Sequence, residues 1–345
     1  MRTERILLAH GSGGKLSEEL IRSVFLPAFG HSALACMDDS AVLPAQPLQA
    51  GSLLPPGRLA LTTDSHVVKP LFFPGGDIGR LAVCGTVNDL SMVGATPLYL
   101  TAAFVLEEGL PIATLVEVVA SMTAAAEEAG VAVVAGDTKV VERGGADELF
   151  ITTAGVGIVP EGLDISGANA RAGDGILLSG SIGDHGMAVL SRREGLEFDS
   201  PVASDVAPLN RLVSAIVGVA PHVRCLRDPT RGGLATTLNE LAAQSAVAMR
   251  IEEERIPVRP AVRAACEMLG YDPLYVANEG KLVAIIPPDE IEQALAAVGR
   301  TRYGEEAQII GTVLPEPSGR VLMKTRIGGT RIVQTLMGEM LPRIC

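Results

Sequence analysis

The tightest constraint in this chain lies in residues 77–93. Asp77 is placed to cap a long helix running to about Val93. Most of that run is apolar, yet Asn88 and Asp89 sit inside it, flanked by Val87, Leu90 and Met92. Polar groups within an apolar helix cost free energy unless they are paired or bound to something. A second segment repeats the problem. Arg58 to Val68 alternates and is rich in β-branched residues, which predicts a strand, and Asp64 stands within it. An acid in mid-strand runs against propensity and is better explained by a ligand.

Three further acidic segments follow the same pattern. They are Asp38-Asp39-Ser40, Gly136-Asp137-Thr138-Lys139 and Asp228-Pro229-Thr230-Arg231-Gly232-Gly233. One such acid is commonly only a helix cap or an Asx-turn. Five segments, three of them on apolar elements, suit a hard cation with oxygen ligands, above all Mg²⁺ held with nucleotide phosphates. Lys139 is a candidate to touch a transferring phosphoryl group. The early His10-Gly11-Ser12-Gly13-Gly14-Lys15 is not a Walker A loop, because no Ser or Thr follows Lys15. Its backbone N–H groups are still suited to closing over phosphates.

Around these segments the pattern is mixed α/β. Leu16–Phe29 is predicted as a helix with Ser17 as N-cap, Pro97–Leu106 as a strand and Pro111–Ala129 as an amphipathic helix. Val131–Ala135 is predicted as a short buried strand, and Leu149–Val159 as another. After a seam at Pro160-Glu161-Gly162 the order continues with strands at 175–179, 281–286, 307–314 and 320–324. Helices are expected near 184–193, 206–219 and 289–298 and after Gly233. From about Gly328 the pattern fades into a tail. At 345 residues and 48% hydrophobic, the chain is large enough for two domains.

The chain ends in Leu341-Pro342-Arg343-Ile344-Cys345. A terminal thiol on a mobile tail can carry cargo. Thirteen residues from Val333 reach roughly 40 Å when extended, enough to enter a cleft between domains. The five cysteines are widely spaced and form no C-x-x-C, so reduced thiols in the cytoplasm are expected. The net charge of −12 disfavours nucleic acid and anionic membrane surfaces. No signal peptide and no spanning helix are expected.

Taken together, these segments resemble the ATP-dependent family of aminoimidazole ribonucleotide synthetase, selenophosphate synthetase and thiamine-phosphate kinase, the PurM-like group. The resemblance runs over essentially the whole length and includes Val87–Ala95 and Asn278-Glu279-Gly280-Lys281. The terminal Pro-Arg-Ile-Cys is similar to that of its hydrogenase-maturation branch, the HypE family. No reactive Cys stands by the N-terminal glycines, as a selenophosphate synthetase would have.

The resemblance implies an α/β (α+β), two-domain PurM-like fold. Residues 1–160 would form the ATP-binding domain, with a flexible leader 1–16, and 161–332 an α/β domain. Residues 333–345 would be the mobile tail. It implies a homodimer whose N-terminal domains share a β-barrel, with ATP and Mg²⁺ in the cleft. The cargo would be a carbamoyl group delivered to Cys345 by a HypF-type carbamoyltransferase. Dehydration would convert it to a thiocyanate, and the nitrile would pass to iron on a HypC–HypD complex.

The expected Mg²⁺ ligands are Asp38, Asp64, Asp89, Asp137 and Asp228. Nucleotide contacts are expected from His10, Gly13, Gly14, Lys15, Asp39, Asn88 and Thr138. Catalysis would rest on Cys345, Lys139 and Glu279, with Glu279 as base because partial burial raises its pKa. Two other readings fit the same residues: a small-metabolite kinase or synthetase with an incidental tail, and a non-enzymatic thiol carrier. The terminal sequence and the Gly-Asp-Thr-Lys segment favour the first.

Overall fold

The computed structural model describes residues 14–25, 36–43, 57–196, 202–336, 338, 341 and 343–345. The first helix, α1, spans Lys15–Leu20 and runs on as a π-helical turn, Ile21–Phe25. Ser17 therefore lies inside the helix and does not cap it. The rest of the expected helix, and the early His10 and Gly13, lie outside the described residues.

The first half then folds as β1 (Ala41–Leu43), β2 (Gly57–His66) and a two-stranded hairpin, β3 (Phe72–Phe73) with β4 (Gly76–Asp77). It continues as α2 (Ile78–Met92), β5 (Thr96–Glu107), α3 (Ile112–Ala129), β6 (Ala132–Val141) and β7 (Leu149–Pro160). Five of these strands make one sheet in the order β1-β2-β7-β5-β6. Only the β5–β6 pairing is parallel.

Asp77 caps α2 as its sequence predicts. Its Oδ1 accepts from Gly79 N at 2.7 Å and Arg80 N at 3.2 Å, and Ser121 donates to its other oxygen. These bonds satisfy N–H groups that every helix start leaves open. Almost every residue of α2 is buried, including Asn88. The helix lies close on the sheet because Gly155 has no side chain. A Cβ there would come within 2.7 Å of Thr86 and 2.9 Å of Leu90.

The second half adds β8 (Gly175–Leu178), α4 (Asp184–Glu194), α5 (Asn210–Val219), β9 (Cys225–Arg227) and α6 (Gly233–Gln244). Then come β10 (Ala248–Glu252), α7 (Pro260–Leu269), β11 (Val283–Ile286) and α8 (Ile291–Val298). The last strands are β12 (Gln308–Leu314), β13 (Arg320–Lys324) and β14 (Thr330–Val333). They form a seven-stranded sheet in the order β14-β13-β10-β12-β8-β11-β9. The strands of β8 and β11 are wholly buried, and one large apolar cluster joins α2, α5, α8 and this sheet.

Three expectations change here. The strand after Val131 is neither short nor buried. β6 is ten residues long and exposed from Ala132 to Val140, because it pairs only with β5 at the sheet's outer edge. Val133, Val134 and Val140 all face solvent in the single chain. The tail does not begin at Gly328 either: Thr330–Val333 pair with β13 and extend the second sheet. Finally, β10 and α7 form in a region that local patterning left unassigned. Among the described residues no helix is long and apolar enough to cross a membrane.

Candidate active site

The two mid-element acids meet. Thr62 on β2 donates its hydroxyl to Asp89 Oδ2 on α2 at 2.8 Å. Asp64 is two residues further along β2, on the same face of the strand. Its Oδ1 accepts from Ser65 N at 2.8 Å, and its Oδ2 lies 3.5 Å from His66 Nε2. Asp228 follows β9 and is buried. The carboxylates repel one another through a poorly solvated space. Burial first, then Asp228, Asp64 and Asp39, holds Asp89 well above the usual carboxylate range. Burial raises Asp228 to about 6, with Arg227 pulling it down and Asp64 pushing it up.

Asp39 belongs to the same field. Burial raises its carboxyl to about 8 against the opposing charge of Arg227, whose Nη1 lies 3.0 Å from Asp39 Oδ1. Arg227 also donates to Met37 O and pairs with Glu240 Oε2 at 3.0 Å, so it ties the 37–40 turn to the second half.

Glu279 lies buried at this cluster, and its Oε1 has no hydrogen-bond partner among the described residues. Burial first, then Asp228, Asp64 and Asp205, pushes its carboxyl well up. Its backbone is held from three sides. Asp205 Oδ1 accepts from Glu279 N at 3.0 Å, while Ala207 N and Asn88 Nδ2 both donate to Glu279 O at 3.4 Å.

The chain end completes the site. Val67, directly after β2, donates its N–H to Cys345 O at 3.1 Å. Burial pushes the Cys345 thiol up to about 12. Arg231 opposes that rise, and Glu279 and Asp64 add to it. Arg231 is in turn raised by Cys345 first, against burial, with Asp64, Glu279 and Asp89 adding to the rise. The chain's own tail thus enters its own cleft.

Not every expected residue arrives. Asp38 accepts from Ser166 Oγ at 2.9 Å and Gly167 N at 2.9 Å, so its oxygens hold the loop at Ser166. Asn88 spends its amide on Ala207 O at 3.1 Å and Leu209 N at 2.8 Å and joins the two halves. Asp137 and Lys139 pair with each other at 2.8 Å on the exposed β6. Thr138 N donates to the same Asp137. Three strand spacings separate β6 from β2, about 14 Å. Gly14 packs against Leu336 of the tail entry, where a Cβ would meet Leu336 O at 2.5 Å, and Lys15 opens α1.

Four residues at the site had no assigned role from the sequence. His66 shares a strand face with Asp64, a signal that a period of two provides. Both its ring nitrogens are buried without a hydrogen-bond partner among the described residues. Arg231 is the cation within an otherwise acidic loop. Arg227 and Asp205 carry no local signal, since their partners lie 188 and 74 residues away.

The donor set fits Mg²⁺ by its chemistry: carboxylate oxygens that repel each other and stay raised despite the nearby Arg227 and Arg231. Among the described residues, no three acid, thiol or imidazole groups already form a complete ligand set. Mg²⁺ keeps several waters and takes one or two carboxylates together with substrate phosphates.

The chain matches two family models, "AIR synthase related protein, N-terminal domain" over residues 37–159 and the corresponding C-terminal domain over residues 171–324. A protein of Azotobacter vinelandii named carbamoyl dehydratase HypE is 56% identical over 345 residues, covering 100% of this chain and 98% of its own. A solved structure of hydrogenase maturation protein HypE in complex with ATP is 50% identical, with TM-score 0.82, covering 99% of this chain and 100% of that one. A HypE–HypF complex gives 50% identity and TM-score 0.84 over 92% of this chain and 99% of its counterpart.

Proposed function

Because the chain belongs to the AIR synthase related family, in its HypE branch, we propose that it is an ATP-dependent carbamoyl dehydratase acting on its own C-terminal cysteine. The reaction converts S-carbamoyl Cys345 to the thiocyanate and supplies cyanide for the iron of a [NiFe]-hydrogenase. One observation carries the reading. The last residue is hydrogen-bonded next to Asp64, and Arg231, Glu279 and Asp64 are the charges its sulfur feels most.

The chemistry needs two activations. A thiocarbamate has a poor leaving oxygen and weakly acidic N–H protons. The carbamoyl oxygen attacks the γ-phosphorus of ATP, releasing ADP and forming S–C(=NH)–O–phosphate with loss of one proton. Removal of the remaining N–H proton expels phosphate and leaves S–C≡N. Glu279 takes that proton. Burial raises its carboxyl, which makes the ionised form a stronger base, and its unpartnered Oε1 faces no competing donor among the described residues. Asp64, Asp89 and Asp228 would supply the carboxylates for Mg²⁺, one or two to an ion, and Mg²⁺ there would spread the charge of the transferring phosphoryl group. Asp39 orders the adjoining turn through Arg227.

Asp137, Thr138 and Lys139 act from a second copy of the chain. The fully exposed β6, with Val133, Val134 and Val140 outward, supports a homodimer in which two such sheets close a shared barrel. Closure removes a bare edge and brings Lys139 of one subunit toward the cleft of the other. The division into 1–160, 161–332 and a tail is supported by the two separate sheets. We assign the carbamoyl donor to a HypF-type carbamoyltransferase and the nitrile acceptor to a HypC–HypD complex. We assign the protein to the cytoplasm, a reading supported by its cysteines, which form no disulfide among the described residues.

The test is mass spectrometry of Cys345 after incubation with a carbamoyl donor system and ATP. A nitrile on that residue is expected. A carbamoyl adduct that survives active ATP hydrolysis overturns the reading.

A further inference from the structure

The chain end is held by far more than its tether. Two main-chain bonds, Val67 N to Cys345 O at 3.1 Å and Lys69 N to Arg343 O at 3.3 Å, lay it antiparallel on the segment after β2. From the second half, His185 Nε2 donates to Ile344 O at 2.7 Å. A carbonyl only accepts, so Nε2 carries the proton and Nδ1 accepts from Ser204 Oγ at 2.8 Å. Arg193 Nη2 donates to Arg343 O at 2.6 Å.

Side chains are read as well. The Arg343 guanidinium donates to Val67 O at 2.9 Å and to Asp147 Oδ2 at 2.5 Å, and lies 5.7 Å over the Phe150 ring. Lys69 Nζ holds the same Asp147 at 2.7 Å. Ile344 is 3% exposed in an apolar cluster with Val68 and Phe73, and Leu341 packs beside Gly186. Arg343 sits at φ 51°, a conformation that L-residues rarely adopt and that persists where surrounding contacts over-determine it. Extended-chain pairing with side-chain pockets is a general mode of peptide recognition.

We propose that this cradle is a peptide-binding site for a chain end Arg-Ile-Cys, selective for the arginine through Asp147 and for the isoleucine through its apolar pocket. The tethered tail is then one occupant among possible ones, and a free peptide of the same sequence competes with it. The proposal rests on Cys345 as the cargo-bearing residue. It adds that the cleft recognises the residues before the cysteine, so that a partner taking the tail must first separate Arg343 from Asp147.

The experiment uses the full-length, reduced protein without nucleotide. Iodoacetamide labelling of Cys345 is followed by mass spectrometry, with exposed Cys36 as the internal reference. The tether gives the tail an effective concentration on the order of millimolar, so peptides are added above that. Leu-Pro-Arg-Ile-Ser is expected to speed Cys345 labelling, and Leu-Pro-Ala-Ile-Ser is not. Arg343→Ala and Asp147→Asn are each expected to raise the labelling rate about tenfold, as for loss of one charge-assisted hydrogen bond. In Arg343→Ala the weakened tail lets the arginine peptide reach its maximal effect on labelling at lower concentration.

Equal action of the two peptides in both backgrounds, or no change of rate in either variant, overturns the proposal. Neither readout needs ATP or a carbamoyl group. Nitrile formation without peptide selectivity removes only this inference. Peptide selectivity without nitrile formation removes only the dehydratase reading.

Discussion

Asp205 holds Glu279 by its backbone. One carboxylate oxygen accepts the Glu279 N–H at 3.0 Å, and the other stands 3.3 Å from the ammonium of Lys281. Both side chains of that ion pair are buried, 2% and 8% exposed. Lys281 also donates to Gly280 O at 3.2 Å. No side chain fits at Gly280, where a Cβ would fall 1.8 Å from Asp205 O. Asp205→Ala therefore leaves a cation buried without its partner and a base without its anchor. The expected loss is about 3–5 kcal/mol, read by urea unfolding. Asp205→Asn keeps an acceptor for Glu279 N and is expected to cost less. An unchanged midpoint in Asp205→Ala would show that the pair does not hold the loop.

Glu279→Gln keeps the shape of the side chain and removes the base. Nitrile formation is expected to slow by about 10²–10⁴. ATP binding and phosphoryl transfer should survive, with the O-phosphorylated adduct, or the carbamoyl group its hydrolysis returns, accumulating on Cys345. Near-normal nitrile yield in this variant would move the base elsewhere.

The acidic cluster makes stability depend on pH and on cation. An unfolded chain releases the protons of Asp39 and Asp228 near the usual 3.8, whereas the fold releases them at about 8 and about 6. Between those values the fold binds more protons, so without cation these groups subtract stability as pH rises. Mg²⁺ relieves the repulsion. Its stabilising increment over EDTA is expected to be larger at pH 8 than at pH 6, measured by urea unfolding. An increment independent of pH would separate cation binding from these carboxylates.

Lys139 and Glu279 are predicted to serve one site from two subunits. Lys139→Ala and Glu279→Gln are each expected to be inactive as pure dimers. After mixed refolding, about a quarter of the sites should regain both intact groups. No recovery would place Lys139 and Glu279 of one chain in the same cleft. The Asp137–Lys139 pair itself is exposed, 62% and 70%, so Lys139→Ala should leave the unfolding midpoint of the single chain essentially unchanged.

Asp77→Ala tests the helix that carries Asp89. Two backbone donors and the Ser121 hydroxyl lose their acceptor. A loss of about 1–2 kcal/mol is expected from thermal unfolding. An unaltered unfolding temperature would mean that α2 is set by packing alone.

Much of this site was legible in the sequence because burial punishes acids. Asp64 in an alternating strand and Asp89 in an apolar helix each break a local rule, and both stand at the cleft. The Asp77 cap is legible for the same local reason: a helix start has a known chemical need. Asp38 and Asn88 looked equivalent to their neighbours, since nothing local distinguishes a carboxylate or amide that faces a ligand from one that ties down a loop. Val131–Ala135 looked buried because it is apolar; an apolar strand at a sheet's exposed edge has the same composition as a core strand.

What the sequence alone determined was the chemistry on offer: carboxylates on apolar elements, and a thiol at the chain end. Those features are local and energetically costly, so they show in short windows. Only the tertiary structure decided which oxygens meet, where the tail binds, and that Asp147 lies under Arg343. Those relations join residues 196 positions apart. They depend on the folded path of the chain, which no window of neighbouring residues contains.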